Sequence, residues 1–340
     1  MKRMKFLYLI LFLFVFLIPN HLWAQQNSQG KLADKPLFTD PIFDGAADPT
    51  IIWNKNEKKW FMFYTNRRAN AKNETGVTWV HGTRIGIAES SDDGATWKYR
   101  DTANINYRPD AQYTQWAPEV IEYNGIYHMY LTYVPGIFTD WNHPRVIVHL
   151  TSKDLLNWKY ESVLKLANEK VIDACVFQMP DGNWRMWYNN EKDGKSIYYA
   201  DSPDLYNWQD KGKAVGDKSG EGPNVFKWKD KYWMIVDNWS GFGIYYSNDM
   251  LNWTKQPDRI LEKPGTGRED GFMGNHADVI VSGERAFVIY FVHPDKAKRA
   301  AGLTDPINPK RSVIQIAELG YENGFITCDR DKPVYLKLKH

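Results

Sequence analysis

Asp48-Pro-Thr-Ile-Ile-Trp53 decides the fold, because its pattern returns four more times along the chain. Ala117-Pro-Glu-Val-Ile-Glu122, Asp173-Ala-Cys-Val-Phe-Gln178, Glu221-Gly-Pro-Asn-Val-Phe226 and His276-Ala-Asp-Val-Ile-Val281 stack beneath it. Each begins with a column residue (Asp48, Ala117, Asp173, Glu221 or His276) and runs into an apolar stretch. An aromatic-rich stretch follows each one, such as Trp60 to Tyr64 or Trp184 to Tyr188. Repetition at a period of roughly 50 residues is the signature of a propeller or solenoid.

Between these segments, short runs of Val, Ile, Tyr, Trp and Phe alternate with Gly, Asn, Asp and Pro, which reads as many strands and tight turns. Four of the units close on Ser-x-Asp-x-x-x-Trp: Ser91/Asp93/Trp97, Ser152/Asp154/Trp158, Ser202/Asp204/Trp208 and Ser247/Asp249/Trp253. Ser and Asp in such a turn bind local backbone N–H groups, a structural role that needs no catalysis. Five four-stranded units closing on themselves predict an all-β fold, a five-bladed β-propeller. The first strand of each blade would line the channel and bring the column residues to one mouth. The segment up to Thr39 is expected to lie over the barrel or help close it.

The chain has 340 residues. Lys2, Arg3 and Lys5 precede the apolar run Phe6 to Ile18, and Ala24 suits the last position of a cleaved leader. Residues 1–24 therefore read as a signal peptide, and 25–340 as one domain, in a secreted or periplasmic protein. The apolar run is short for a bilayer span, so no membrane association is expected after cleavage. A net charge of +2, with both signs interspersed, points to no nucleic-acid partner. Cys175 and Cys328 lie far apart in a chain with a large core, so two free thiols are expected. The 15 tryptophans and 20 tyrosines exceed what the repeats need, and aromatic faces also suit the C–H surfaces of sugar rings.

Ala47-Asp48-Pro49-Thr50, Trp116-Ala-Pro-Glu-Val120, Ile172-Asp173-Ala174, Gly220-Glu221-Gly-Pro-Asn224 and Asn275-His276-Ala-Asp278 resemble the blade-start motifs of glycoside hydrolase family 43. Families 32, 62, 68 and 117 share its five-bladed propeller. The resemblance covers nearly the whole chain after the leader, and it rests on five motifs in order. It implies a glycosidase in which Asp48 is the general base, Glu221 the general acid, and Asp173 the carboxylate that orients the acid and raises its pKa. His276 matches the axial histidine, which in relatives often lies near a calcium or water in the channel. His276 is thus the candidate metal ligand, for a structural Ca2+ in the central channel; no cofactor is required.

Elementary chemistry agrees with these roles. Inverting hydrolysis needs a protonated carboxyl on the leaving oxygen and a carboxylate activating water on the opposite face, about 6.5–9.5 Å apart. Blades one and four are not neighbours in a ring of five, so their first strands face each other. Blades three and four are neighbours, so Asp173 can keep Glu221 protonated. Candidate substrate contacts are His276, Trp116, Glu119, Arg67, Trp79, His81, Trp239 and Arg268. The expected partner is a plant or algal poly- or oligosaccharide, with arabinofuranosides, xylosides or galactosides as its cleaved units.

Three rivals stand beside this reading. A family 117-like anhydro-galactosidase would use His276 as the acid. A sialidase would explain Ser90-x-Asp92-x-Gly94-x-x-Trp97, yet lacks an arginine triad. A carbohydrate-binding propeller without catalysis would have lost a column carboxylate, and all three are present.

Overall fold

The computed structural model describes residues 30–108, 111–300, 302 and 308–340. The expected leader, residues 1–24, lies outside them. Five antiparallel sheets follow one another along the chain. Their innermost strands are Ala46–Asn54, Thr114–Tyr123, Val171–Gln178, Glu221–Trp228 and Asn275–Ser282. Each touches the next, and the last touches the first, so the ring is closed. The protein is a five-bladed β-propeller.

Each blade is a meander. Blade one continues through Lys59–Asn66, Arg84–Ser90 and Lys98–Thr102, and the other four repeat that order. Tight turns set the register. Asn124-Gly125 and Asn323-Gly324 both have positive φ at the two turn residues, as the commonest two-residue hairpins require. Blade two gains a fifth strand, Asn104–Asn106, pairing parallel to Asn157–Val163.

The core is divided among the joints between blades. The second strand of blade one shows why. Trp60, Met62 and Tyr64 face blade five, while Phe61 and Phe63 face blade two. A strand covered on both faces must be apolar at every position, which is why these second strands read as unbroken aromatic runs. Similar clusters fill the joints of blades two and three, three and four, and four and five.

The Ser-x-Asp turns form as expected in blades two to four. Asp204 accepts the Tyr206 and Asn207 N–H groups at 2.9 and 2.8 Å, and the Asn207 amide at 2.7 Å. In blade one the pair is Ser90/Asp92 rather than Ser91/Asp93. That turn holds one more residue before Trp97, taken up by Gly94 at φ 90°. Cys175 and Cys328 are free thiols. One short helix, Pro294–Ala300, interrupts blade five. Among the described residues no helix is long and apolar enough to cross a membrane.

Both chain ends seal the joint between blades five and one. Lys31–Leu32 pairs with Tyr335–Leu336, and Phe38 bridges Ile314. Leu37, Phe38, Val334, Leu336 and Leu338 are buried in the core of that joint. The N-terminal segment thus helps to close the ring.

Candidate active site

Every innermost strand carries a bulge at its start, where the pairing with the second strand skips. The bulged residue adopts positive φ in all five: Asp48 (52°), Ala117 (43°), Asp173 (61°), Gly222 (54°) and His276 (21°). Blade four therefore corrects the column. Its equivalent of Asp48 is Gly222, and Glu221 stands one step further out, level with Trp116 of blade two. The prolines carry this signal: Pro49, Pro118 and Pro223 each follow the bulged residue. Bulges next to active sites re-aim side chains, and non-glycine residues at positive φ mark strain that the surroundings must hold.

The preceding blade holds it. Thr65 accepts the Ala117 N–H at 2.8 Å, and Thr132 accepts that of Asp173 at 3.0 Å. Asp173 Oδ2 accepts the Gly222 N–H at 3.0 Å, and Asp237 Oδ2 that of His276 at 2.9 Å. At these four bulges the freed backbone donor is taken by a side chain across the joint. The His276 ring lies directly on Gly222, where a Cβ would come within 2.8 Å of its Cγ.

These bonds gather the carboxyl groups. Asp48 is ion-paired with Arg67 at 3.0 Å, and Arg67 is held over the Phe291 ring at 4.5 Å. His276 Nδ1 lies 3.6 Å from Asp48 Oδ1 and 3.8 Å from Asp173 Oδ2. Burial, then the negative charge of Asp48, pushes Asp173 up to about 8. Burial, then Asp173, pushes Glu221 up to about 7, and the Trp239 side chain bonds its carboxyl. The site thus pairs a carboxylate that has a cation with a carboxyl group pressed toward its protonated form, the division of labour of acid–base catalysis.

Asp237 escaped the sequence reading. It is the cross-strand partner of Glu221, is buried, and accepts the Trp239 N–H at 2.7 Å as well as that of His276. Burial and the neighbouring Glu221 push it up to about 7. The signal was faint, because Asp237 ends an apolar second strand outside the repeated motif.

The other candidates divide. Trp116 borders the mouth, its indole N–H bonded to the Val80 carbonyl at 2.6 Å. Trp239 is exposed beside Glu221, with Lys195 Nζ 4.7 Å from its ring. His81 is fully buried and bonded through both ring nitrogens, so it stands behind Trp116 rather than facing substrate. Trp79 packs edge-on against buried His293. Arg268 is exposed on its loop, anchored only through its carbonyl, which Gln315 bonds at 2.9 Å.

Glu119 lies two residues past the bulge, in a second ring with Thr50, Cys175, Asn224 and Asp278 around a channel cavity of about 300 Å³. Four members of this ring bind the next blade in turn. Glu119 accepts the Val176 N–H, Cys175 that of Val225, Asn224 that of Val279, and Asp278 that of Ile51. Burial, then Asp278, pushes Glu119 up to about 8, and Asp278 is raised mainly by its own burial. Calcium needs six to eight oxygen ligands, mostly charged or carbonyl. Among the described residues no cluster of three or more His, Cys, Asp or Glu is placed to hold a metal.

Residues 33–262 match the family described as a probable glycosyl hydrolase domain, related to family 43. Solved structures share the propeller. A thermostable family 43 glycoside hydrolase is 21% identical with a TM-score of 0.65, over 89% of this chain and 98% of its own. A family 43 enzyme from Xanthomonas citri is 13% identical with a TM-score of 0.62, over 89% and 95%. A family 43 β-1,3-galactosidase with galactodeoxynojirimycin is 15% identical with a TM-score of 0.60, over 89% and 99%. At these identities the likeness speaks for the fold. No curated protein matches the chain.

Proposed function

The chain belongs to the glycosyl hydrolases related to family 43, and from that premise we propose that it removes a terminal sugar from plant or algal poly- or oligosaccharides by single displacement with inversion. The contrast between Asp48 and Glu221 carries the reading: one is ion-paired with Arg67, the other is buried and pushed up to about 7 by burial and Asp173.

In this mechanism Asp48 takes a proton from water, whose oxygen attacks the anomeric carbon. The bond to the leaving oxygen breaks as Glu221 gives that oxygen its proton. Asp173 binds the Gly222 N–H, which fixes the backbone beside Glu221, and the two buried carboxyls disfavour each other's ionisation, which holds protons in the pair. His276 reaches both Asp48 and Asp173, so it stands between the base and the acid's neighbour. That placement supports a role in holding the base and the sugar, and activity of a His276→Ala enzyme beside Glu221→Gln separates that role from that of the acid.

Solved relatives described as a β-xylosidase/α-arabinofuranosidase and a β-1,3-galactosidase make xylosides, arabinofuranosides and galactosides the first sugars to test. The leader of residues 1–24 supports export, which amino-terminal sequencing of protein recovered outside the cytoplasm would check. Proton NMR of the first-formed anomer tests the mechanism. Inversion is expected, and retention would overturn it. Full activity in a Glu221→Gln enzyme would overturn the assignment of the acid, and binding without hydrolysis on a broad panel would favour a non-catalytic propeller.

A further inference from the structure

Blade two presents an aromatic shelf beside the mouth that neither the fold nor the acid–base chemistry uses. Trp141 lies in the loop between the strands Ile126–Val134 and Val146–Ser152. It is 53% exposed, and Ile137 of the same loop is 40% exposed. Singly exposed apolar residues are ordinary on a surface, whereas an exposed aromatic continuous with others at the mouth of a site marks a binding surface.

The shelf is continuous with the mouth. The Trp141 ring stands 6.0 Å from that of Trp116. Trp116 precedes Ala117, a methyl group where the bulges of blades one, three and five carry Asp48, Asp173 and His276, so blade two leaves the mouth open on the side where the shelf begins. Blade two is also not adjacent to blade four, which carries Glu221.

The shelf is also held still. Arg145 is buried, donates to the Trp141 carbonyl at 3.1 Å, and is ion-paired with Glu191 of blade three. The Val77 N–H of the blade-one loop bonds Thr139 O at 3.0 Å. His81 and His143 lie beneath, their Nε2 atoms 3.0 Å apart, with His143 stacked on Phe138 at 4.4 Å. One of two facing ring nitrogens must carry a proton and the other a lone pair. His81 Nδ1 faces the Val77 carbonyl, while His143 Nδ1 faces that of Pro144 and its Nε2 also faces the Arg145 guanidinium. Burial lowers both histidines, His143 to about 4, and so presses both rings toward their uncharged form. The nearby Arg145 charge is taken up by Glu191. An uncharged aromatic surface with polar groups at its edge fits the C–H face of a sugar ring rather than an ion.

We propose that Trp141, with Trp116, forms a second sugar subsite on blade two, so that the substrate is an oligosaccharide whose next ring stacks there. This rests on the glycosidase reading, and the test separates the two. The selectivity ratio is measured first: kcat/KM on tri- to pentasaccharides of the cleaved sugar over kcat/KM on its 4-nitrophenyl glycoside. Trp141→Ala is expected to lower the ratio about tenfold, the scale of one lost aromatic contact, and Trp141→Phe to restore most of it. An unchanged ratio overturns the subsite. Calorimetric titration of the same oligosaccharides covers a chain that hydrolyses nothing. Weaker binding to Trp141→Ala than to wild type then upholds the subsite while the glycosidase reading falls, and equal binding overturns the subsite.

Discussion

At the scale of single residues, one step in register separates Glu221 from the column it was stacked in. The dipeptide pattern Asp48-Pro49, Ala117-Pro118 and Gly222-Pro223 contains the right alignment. Matching acid to acid hid it, because a repeat read through its charges favours chemistry over backbone geometry. Asp48, Asp173 and His276 were aligned correctly, since there the column residue is itself the bulged one. The correction makes Gly222 essential. It needs φ 54° and has the His276 ring against its Cα. Gly222→Ala is expected to cost about 1–2 kcal/mol in backbone strain alone. It should also displace His276 and reduce kcat at least tenfold, measured together by thermal unfolding and turnover. The acid makes a second prediction. Glu221 works protonated, so kcat/KM should fall as pH rises through about 7. Asp173→Asn removes the carboxyl whose ionisation is coupled to that of Glu221, and should move that falling limb to lower pH by about one unit. Glu221→Gln should lower kcat about 10²–10⁴-fold and abolish the limb. A pH–rate profile of Asp173→Asn that overlays wild type would remove Asp173 from the role of tuning the acid.

At the scale of elements, strands were easy to read and the joints between them were not. Alternating aromatic runs bounded by Asn-Gly and Asp-Gly turns announce hairpins from local sequence alone. The N–H groups freed by the bulges are satisfied across blades, by Thr65, Thr132, Asp173 and Asp237, and no local pattern shows that pairing. Asp237 was missed for this reason: its bond to the backbone of His276 depends on blade four meeting blade five. The Ser-x-Asp turns lie at the opposite extreme, since their bonds stay within a few residues. Their spacing was legible in blades two to four and slipped by one in blade one, where Gly94 absorbs an extra residue. In Asp204→Ala the turn loses three donors' acceptor. It should destabilise by about 1–3 kcal/mol with kcat unchanged, since the turn lies outside the mouth, as urea unfolding and turnover of the same sample would show.

At the scale of the whole molecule, the ring is joined twice: by its termini and around its channel. The terminal seal was half legible. The N-terminal segment was expected near the closure, but its pairing with Tyr335–Leu336 joins residues at opposite ends of the chain. The channel ring at Glu119, Cys175, Asn224 and Asp278 was legible only as a lone Glu119, because the column was read one layer too high in blade four. That ring makes stability depend on pH. Glu119 has its folded pKa pushed up to about 8, above its ordinary value of 4.5. Between those values the folded chain keeps a proton that the unfolded chain has released. Its stability should therefore fall as pH rises from about 5 to 8, by up to roughly 1.4 kcal/mol per pH unit for this group. Asp278, Asp173, Glu221 and Asp237 are also raised and add to the same trend. Glu119→Gln keeps an acceptor for the Val176 N–H and cannot ionise. Its melting temperature should equal or exceed that of wild type at pH 8, with a shallower decline from pH 5. Parallel declines in the two proteins would mean that Glu119 ionises in the folded state as freely as in the unfolded one, and the channel would then be open to water at that depth.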